Sequence, residues 1–206
     1  MNLADYRERL VTINEIVYFD KNEYLREKTS NPLILNELID EAENLLQSSN
    51  EDDRYFLYGT IGNLYRINEQ PEKAISFLSY CLNHAVGEKN LTREIVSLIR
   101  IGEAHKYDNN HTKALELFNK ALDKCDANKV DEYLDFVMQH KGKCLMELGR
   151  LNEAKECFLK ALMLRKSKGN TSLIESTEQA IRLVKDLQLI KNEGENEILL
   201  FNNPVR

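Results

Sequence analysis

Ile61-Gly62-Asn63-Leu64-Tyr65, Ile101-Gly102-Glu103-Ala104-His105 and Lys141-Gly142-Lys143-Cys144-Leu145 put a glycine at the same point of three similar segments, 40 residues apart in both intervals. Twelve residues after each glycine stands an alanine (Ala74, Ala114, Ala154), four further on a bulky residue (Leu78, Phe118, Phe158), and three beyond that a small one (Cys81, Ala121, Ala161). A fixed period of this size marks stacked supersecondary units. A glycine inside an apolar helical pattern costs roughly 1 kcal/mol against alanine. Close approach of a second helix is the compensating reason, with the large residue filling the gap between small ones on one stripe of that helix. Asn68-Glu69-Gln70-Pro71, Asp108-Asn109-Asn110-His111 and Leu148-Gly149-Arg150-Leu151 read as the turns inside the pairs, Pro71 suiting a first helical turn.

The ladder of glycine, alanine, bulky residue and small residue resembles the tetratricopeptide repeat. The first unit gives Tyr58, Ile61, Gly62, Tyr65, Ala74, Leu78 and Cys81; the second gives Leu98, Ile101, Gly102, His105, Ala114, Phe118 and Ala121; the third gives Met138, Lys141, Gly142, Leu145, Ala154, Phe158 and Ala161. No tryptophan stands at the fourth position and no proline closes a unit. The resemblance implies an all-α fold, a right-handed superhelical array of α-hairpins with terminal capping helices. Its usual period is about 34 residues. The extra residues fall after one unit's last small residue and before the next unit's first, as between Cys81 and Ile95, so each helix is expected to be longer by about a turn. Gly87 in that stretch reads as a helix C-terminal cap. Units of this longer kind look like those of bacterial peptide-pheromone receptors and of some eukaryotic motor and polarity adaptors.

The units are expected at about 51–88, 91–128 and 131–168, within one structural domain. Terminal units need caps because one face would otherwise be bare. Thr171 to Lys191 carries Leu173, Ile174, Ala180, Ile181, Val184 and Leu187 at helical spacing and reads as a C-terminal capping helix. Asn31-Pro32 followed by Leu35, Ile39 and Ala42 aligns with Gln70-Pro71 and its ladder, making residues 1–50 a degenerate helical pair. Its leading helix is predicted from Leu3 to Lys28, with Leu3, Tyr6, Leu10, Ile13 and Val17 on its packing face. The stretch 192–206 reads as a tail. Its apolar Ile198-Leu199-Leu200-Phe201 is expected either to pack back on the last helix, to exchange into a second copy as a homodimer, or to meet the partner.

At 206 residues, 42% hydrophobic and 30% charged, the chain reads as one soluble module. No stretch approaches the roughly 18 apolar residues of a membrane span, and no signal-peptide core opens the chain; a cytoplasmic location and no membrane partner are expected. Cys81, Cys125, Cys144 and Cys157 form no C-x-x-C pair and read as reduced structural thiols. The net charge of −6 argues against a nucleic-acid partner. Residues 1–50 hold five Lys/Arg against ten Asp/Glu, and residues 91–170 hold fifteen against twelve.

In the family that the repeat resembles, the first helix of each unit lines a concave groove. Projected on this sequence, the groove positions are Phe56, Gly59, Asn63 and Arg66 in the first unit, Val96, Ile99, Arg100, Glu103 and Lys106 in the second, and Phe136, Gln139, His140, Lys143 and Met146 in the third. Asn63 follows the repeat glycine, where an amide that both donates and accepts suits an extended peptide. Arg100, Lys106, His140 and Lys143 would favour an acidic segment, with Glu103 opposing them. The carboxylate clamp of chaperone-binding members is not expected: Gly59 replaces its lysine, Glu103 its second asparagine, Phe136 and His140 stand at its third-unit positions, and only Asn63 matches.

Nothing advertises catalysis. His84, His105, His111 and His140 are scattered, no H-E-x-x-H or zinc-spaced cysteine cluster occurs, and glycine-rich phosphate loops are absent. The expectation is a non-enzymatic scaffold or adaptor with no cofactor and no metal, binding a protein or peptide segment. Two alternatives are a dedicated chaperone or immunity protein masking one secreted protein or toxin, and a regulatory receptor responsive to a short peptide, though no helix-turn-helix is recognisable in residues 1–50.

Overall fold

The computed structural model describes residues 2–201, with side chains described as far as residue 193. Three antiparallel helix pairs form its body: α4 (Glu51–Ile67) with α5 (Pro71–Gly87), α6 (Leu91–Tyr107) with α7 (His111–Asn128), and α8 (Leu134–Glu147) with α9 (Leu151–Lys168). Ahead of them lie α1 (Leu3–Leu10), the single turn α2 (Ile13–Ile16) and α3 (Pro32–Leu46); behind them runs α10 (Thr171–Phe201). Among the described residues, apart from one short β-hairpin, the fold is an all-α helical-repeat solenoid.

The repeat glycines act as the ladder implies. A Cβ built on Gly62 would lie 2.6 Å from Leu78 Cγ, one on Gly102 2.6 Å from Phe118 Cε1, and one on Gly142 2.7 Å from Phe158 Cε1. The large side chain of the second helix therefore fills the space that a Cβ on the first would need, so any larger residue must push it aside. Most pairs use helices of 17 or 18 residues, the length that the 40-residue period requires.

A second periodicity governs the connections. Left-handed backbone occurs at Glu69, Lys89, Asn109, Lys129, Gly149 and Gly169, one residue in every twenty. Each closes a helix by turning its last carbonyls inward. Gly87 differs from the expected cap: it is the last residue of α5, and Lys89 takes the left-handed position. Helix starts repeat too. Asn31, Asn50, Asn90 and Asn110 each accept a hydrogen bond from the amide three residues on, which satisfies one of the open N–H groups of a first turn.

The N-terminal segment departs from the expected helix of Leu3 to Lys28. After α2 the chain forms β1 (Val17–Asp20), a 3-10 turn at Lys21–Glu23, and β2 (Arg26–Thr29), paired antiparallel with Val17 opposite Thr29 and Asp20 opposite Arg26. Val17-Tyr18-Phe19 is β-branched and aromatic, a composition that fits a pleated strand better than a helix. The Asp20 carboxylate accepts from the Asn22 amide, and Tyr24 and Leu25 are both left-handed, at φ 55° and 62°. No α-helix passes through such a corner. Tyr6 remains a core residue, its hydroxyl donating to Leu38 O at 3.1 Å.

The C-terminal helix also differs from its expected end at Lys191, continuing to Phe201. Gly194 weakens a helix without stopping it, and the next proline is Pro204. Where the side chains of Ile198 to Phe201 pack lies outside the described residues. At the near end α10 is fastened by a buried group: Arg165 Nε donates to Asp135 Oδ2 at 3.0 Å, and Arg165 Nη1 to Thr177 Oγ1 at 2.7 Å.

Candidate functional site

Helix α4 meets α6 and α6 meets α8 across the units, so the first helices draw together on the inner side of the array. That inner face falls into two halves of different character.

The half nearer the N-terminal ends of α6 and α8 is open. Val96, Ile99, Tyr133 and Phe136 form the apolar wall of a cavity of about 300 Å³, and Asn63, Arg100, Glu103 and His140 supply its polar groups. Arg100 is exposed, and among the described residues no carboxylate lies within ion-pair distance of it. Gly59 makes room for it, since a Cβ there would lie 2.7 Å from Arg100 Nη1. His140 Nδ1 lies 2.9 Å from Glu103 Oε1 but is not aligned for a hydrogen bond, so the pair is a charge contact when the imidazole is protonated. Burial opposes the charge on Glu103; His140, then Arg66, overcome it and hold the carboxyl well below the usual carboxylate range.

The other half is covered by the chain's own β-hairpin. Arg26 forks onto Glu147 through Nε at 3.1 Å and Nη2 at 2.6 Å, and Nη2 also donates to Lys106 O at 3.0 Å. Glu27 pairs with Arg66, whose Nη2 also donates to Asn63 Oδ1 at 2.7 Å. Lys143 Nζ donates to Leu25 O at 3.0 Å and sits 4.5 Å from the centre of the Phe19 ring. The Glu27 main-chain N–H donates to the Tyr107 hydroxyl at 2.6 Å, and the same Tyr107 ring lies under Arg66 and Lys106. Leu25, 2% exposed, joins the apolar cluster of Leu145, Met146 and the α10 residues Ala180, Ile181 and Val184. The ions here have left water. Burial, with Lys106 close by, pushes the Lys143 ammonium down to about 8, while burial of Glu27 and Glu147 is outweighed by Arg66 and Arg26, which keep both carboxyls low.

The projected groove residues thus separate. Asn63, Ile99, Arg100, Glu103 and His140 come together at the open cavity; Arg66, Lys106 and Lys143 lie buried in the covered half, where Arg66 pairs with Glu27 and Lys143 donates to Leu25 O of the hairpin, while the Lys106 ammonium pairs with Glu147 of α8. Phe56 stacks beneath Arg7 of α1, Gly59 serves Arg100, and Gln139 is 3% exposed with neither amide atom hydrogen-bonded. The expected cationic cluster of Arg100, Lys106, His140 and Lys143 is therefore reduced at the open surface to Arg100 and His140. Tyr107, Glu147, Tyr133 and the hairpin itself were missed by projection. The hairpin follows no repeat, and Tyr107 and Glu147 stand at helix ends where no repeat position marks them.

The fold is that of a tetratricopeptide-like helical-repeat array. The tetratricopeptide repeat family model matches residues 137–168, the third unit. No curated protein matches the chain in sequence. Among solved structures it is similar to the Rap protein complexed with competence and sporulation factor (TM-score 0.70, 14% identity, 98% of this chain and 53% of that one). It is similar also to the apo form of RapI (TM-score 0.63, 13% identity, 95% of this chain and 65% of that one). PlcR of Bacillus thuringiensis, in complex with the peptide PapR7 and DNA, aligns with TM-score 0.62 and 18% identity over 71% of this chain and 54% of that one. The chain spans between about half and two thirds of the length of these three proteins. Among the described residues no helix is long and apolar enough to cross a membrane.

Proposed function

We propose that this chain is a non-catalytic scaffold that binds a short extended peptide segment of a partner in the open half of its groove. The segment places an apolar side chain between Val96, Ile99, Tyr133 and Phe136 and sets a carboxylate, from an acidic side chain or a chain terminus, against Arg100. The observation that carries this reading is the exposed Arg100, without a carboxylate partner among the described residues, at the mouth of an apolar cavity on the inner face. A rigid helical wall loses little entropy when it binds, so a few such contacts suffice for useful affinity. The solved structures of Rap with competence and sporulation factor and of PlcR with PapR7 support a peptide as the ligand class, and with it the second reading, a receptor whose state depends on a signalling peptide.

The test is selection from a randomised peptide library, followed by fluorescence polarisation of the enriched sequences. The expected motif is an apolar residue next to a carboxylate. Arg100→Gln should weaken binding by about tenfold and Phe136→Ala by more, in line with the loss of a charged hydrogen bond and of a buried aromatic anchor. Enriched peptides that bind both variants as well as the wild type would sink the proposal. A stabilising shift in melting temperature with the enriched peptide, absent with its scrambled form, would speak for the receptor reading.

A further inference from the structure

We infer that the β1–β2 hairpin is a built-in ligand of the groove, and that the surface beneath it accepts an extended partner segment with an apolar, a basic and an acidic residue in succession, which enters by displacing the hairpin. Leu25, Arg26 and Glu27 are each read by a separate group. The Leu25 side chain enters the third unit's apolar cluster, and its carbonyl accepts from Lys143; Arg26 is forked by Glu147; Glu27 meets Arg66 with its side chain and Tyr107 with its main chain. Readout of side chains together with main-chain groups is how a groove holds an extended peptide.

The occupant is also poised to leave. Tyr24 and Leu25 are consecutive left-handed residues without being glycine, a strained corner of the kind that gathers at switch segments. The two strands have four residues each and would not hold together alone. The ions under the hairpin are desolvated, so only a segment restoring the same pairings can replace it without leaving buried charges unpaired. Asn63 lines the open cavity and also accepts from Arg66, and Glu103 lies between His140 and Arg66; the two halves are continuous. A partner segment that runs across both gains contacts that the hairpin lacks, which offsets the hairpin's advantage of being tethered.

This rests on the groove reading above, but the two are tested apart. The probe is a fluorescein-labelled peptide with the sequence of residues 23–30, Glu-Tyr-Leu-Arg-Glu-Lys-Thr-Ser, which carries nothing for the open half. It is titrated into the full chain as wild type, as Arg26→Glu, which sets a carboxylate against Glu147 and expels the hairpin, and as Leu25→Ser, which removes the apolar anchor. Both variants should bind the peptide at least about tenfold more tightly than the wild type, since an internal competitor scales the apparent affinity down to the fraction of molecules in the open state, and a scrambled peptide should bind none of them. Tyr24→Gly relaxes the corner and should slow amide exchange at Leu25 and Ser30 about fivefold. If either folded variant, with wild-type helical circular dichroism, binds the peptide no better than the scrambled control, the hairpin is a fixed part of the fold and the inference fails. Failure of the Arg100 experiment leaves this result untouched, and the reverse also holds.

Discussion

At the scale of single residues, two kinds of glycine do opposite work. Gly102 has no side chain because the Phe118 ring stands where one would be, and Phe118 is fully buried between the helices of its unit. Gly102→Ala should therefore cost about 1–3 kcal/mol of stability through overpacking, measured by urea denaturation. The same change at Gly59 would crowd only the far end of the exposed Arg100 side chain, Cys81 Sγ standing at an ordinary 3.7 Å, so it should cost far less and shift the guanidinium within the cavity. Gly149 and Gly169 have open space around them and are needed for their positive φ alone. Lys129 occupies the corresponding position without being glycine, and it is exposed. Lys129→Gly should raise stability by about 0.5–1 kcal/mol and Gly149→Ala should lower it by about 1 kcal/mol. Thermal melts of the pair, shifting in opposite directions, check the assignment; equal signs would refute it.

At the scale of elements, the hairpin's contact with the three first helices is ionic and pH-dependent in a definite direction. Lys143 has a folded pKa of about 8, below the 10.5 of an unperturbed lysine, so between those values the unfolded chain binds more protons and stability rises with pH. Lys143→Met removes the titrating group while keeping the chain length. From pH 8 to 10 the wild type should gain on the variant by about 2 kcal/mol in denaturant titrations, and a flat difference would show that Lys143 is not desolvated. Glu27, Glu103 and Glu147 act at the other end: their folded pKa values lie below 4.5, so their stabilisation is present above that value and is lost as pH falls through the folded ones. Why the helical pairs were legible in the sequence and the hairpin was not follows from where their determinants lie. Gly102 and Phe118 are 16 residues apart and recur with the repeat, so a local pattern records their contact. Leu3, Tyr6, Leu10, Ile13 and Val17 extend a helical spacing into β1 by coincidence, and what holds the strands in place is Lys143, Glu147 and Arg66, far along the chain. Projection along the first helices reached Arg66, Lys106 and Lys143, but not the segment that buries them.

At the scale of the whole molecule, the hairpin changes how the array holds together. A helical-repeat solenoid is close to one-dimensional: each pair contacts its neighbours, and ends fray or melt independently of the middle when the interfaces weaken. Here a single short segment grips all three units, with Glu27 on Arg66 of α4, Arg26 on the Lys106 carbonyl of α6 and on Glu147 of α8, across a separation of 121 residues in the last case. The strap ties the first unit to the third directly, beside the path of nearest-neighbour contacts through the second. Opening of α8 and α9 at the far end therefore also breaks the hairpin's hold on α4. We expect the wild type to unfold in urea as one transition, with fluorescence and circular dichroism coincident. Arg26→Ala removes the strap's ion pair to α8, keeping the Lys143–Leu25 and Leu25 apolar contacts there, and leaves Glu147 with Lys106 and His111, so the loss of stability should be modest and the loss of cooperativity the larger effect. The variant should show a lower m-value and faster amide exchange in α8 and α9 than in α4 and α5, because the far units now open on their own. An unchanged m-value with uniform exchange would mean that nearest-neighbour packing alone sets the cooperativity, and that the hairpin only covers the groove.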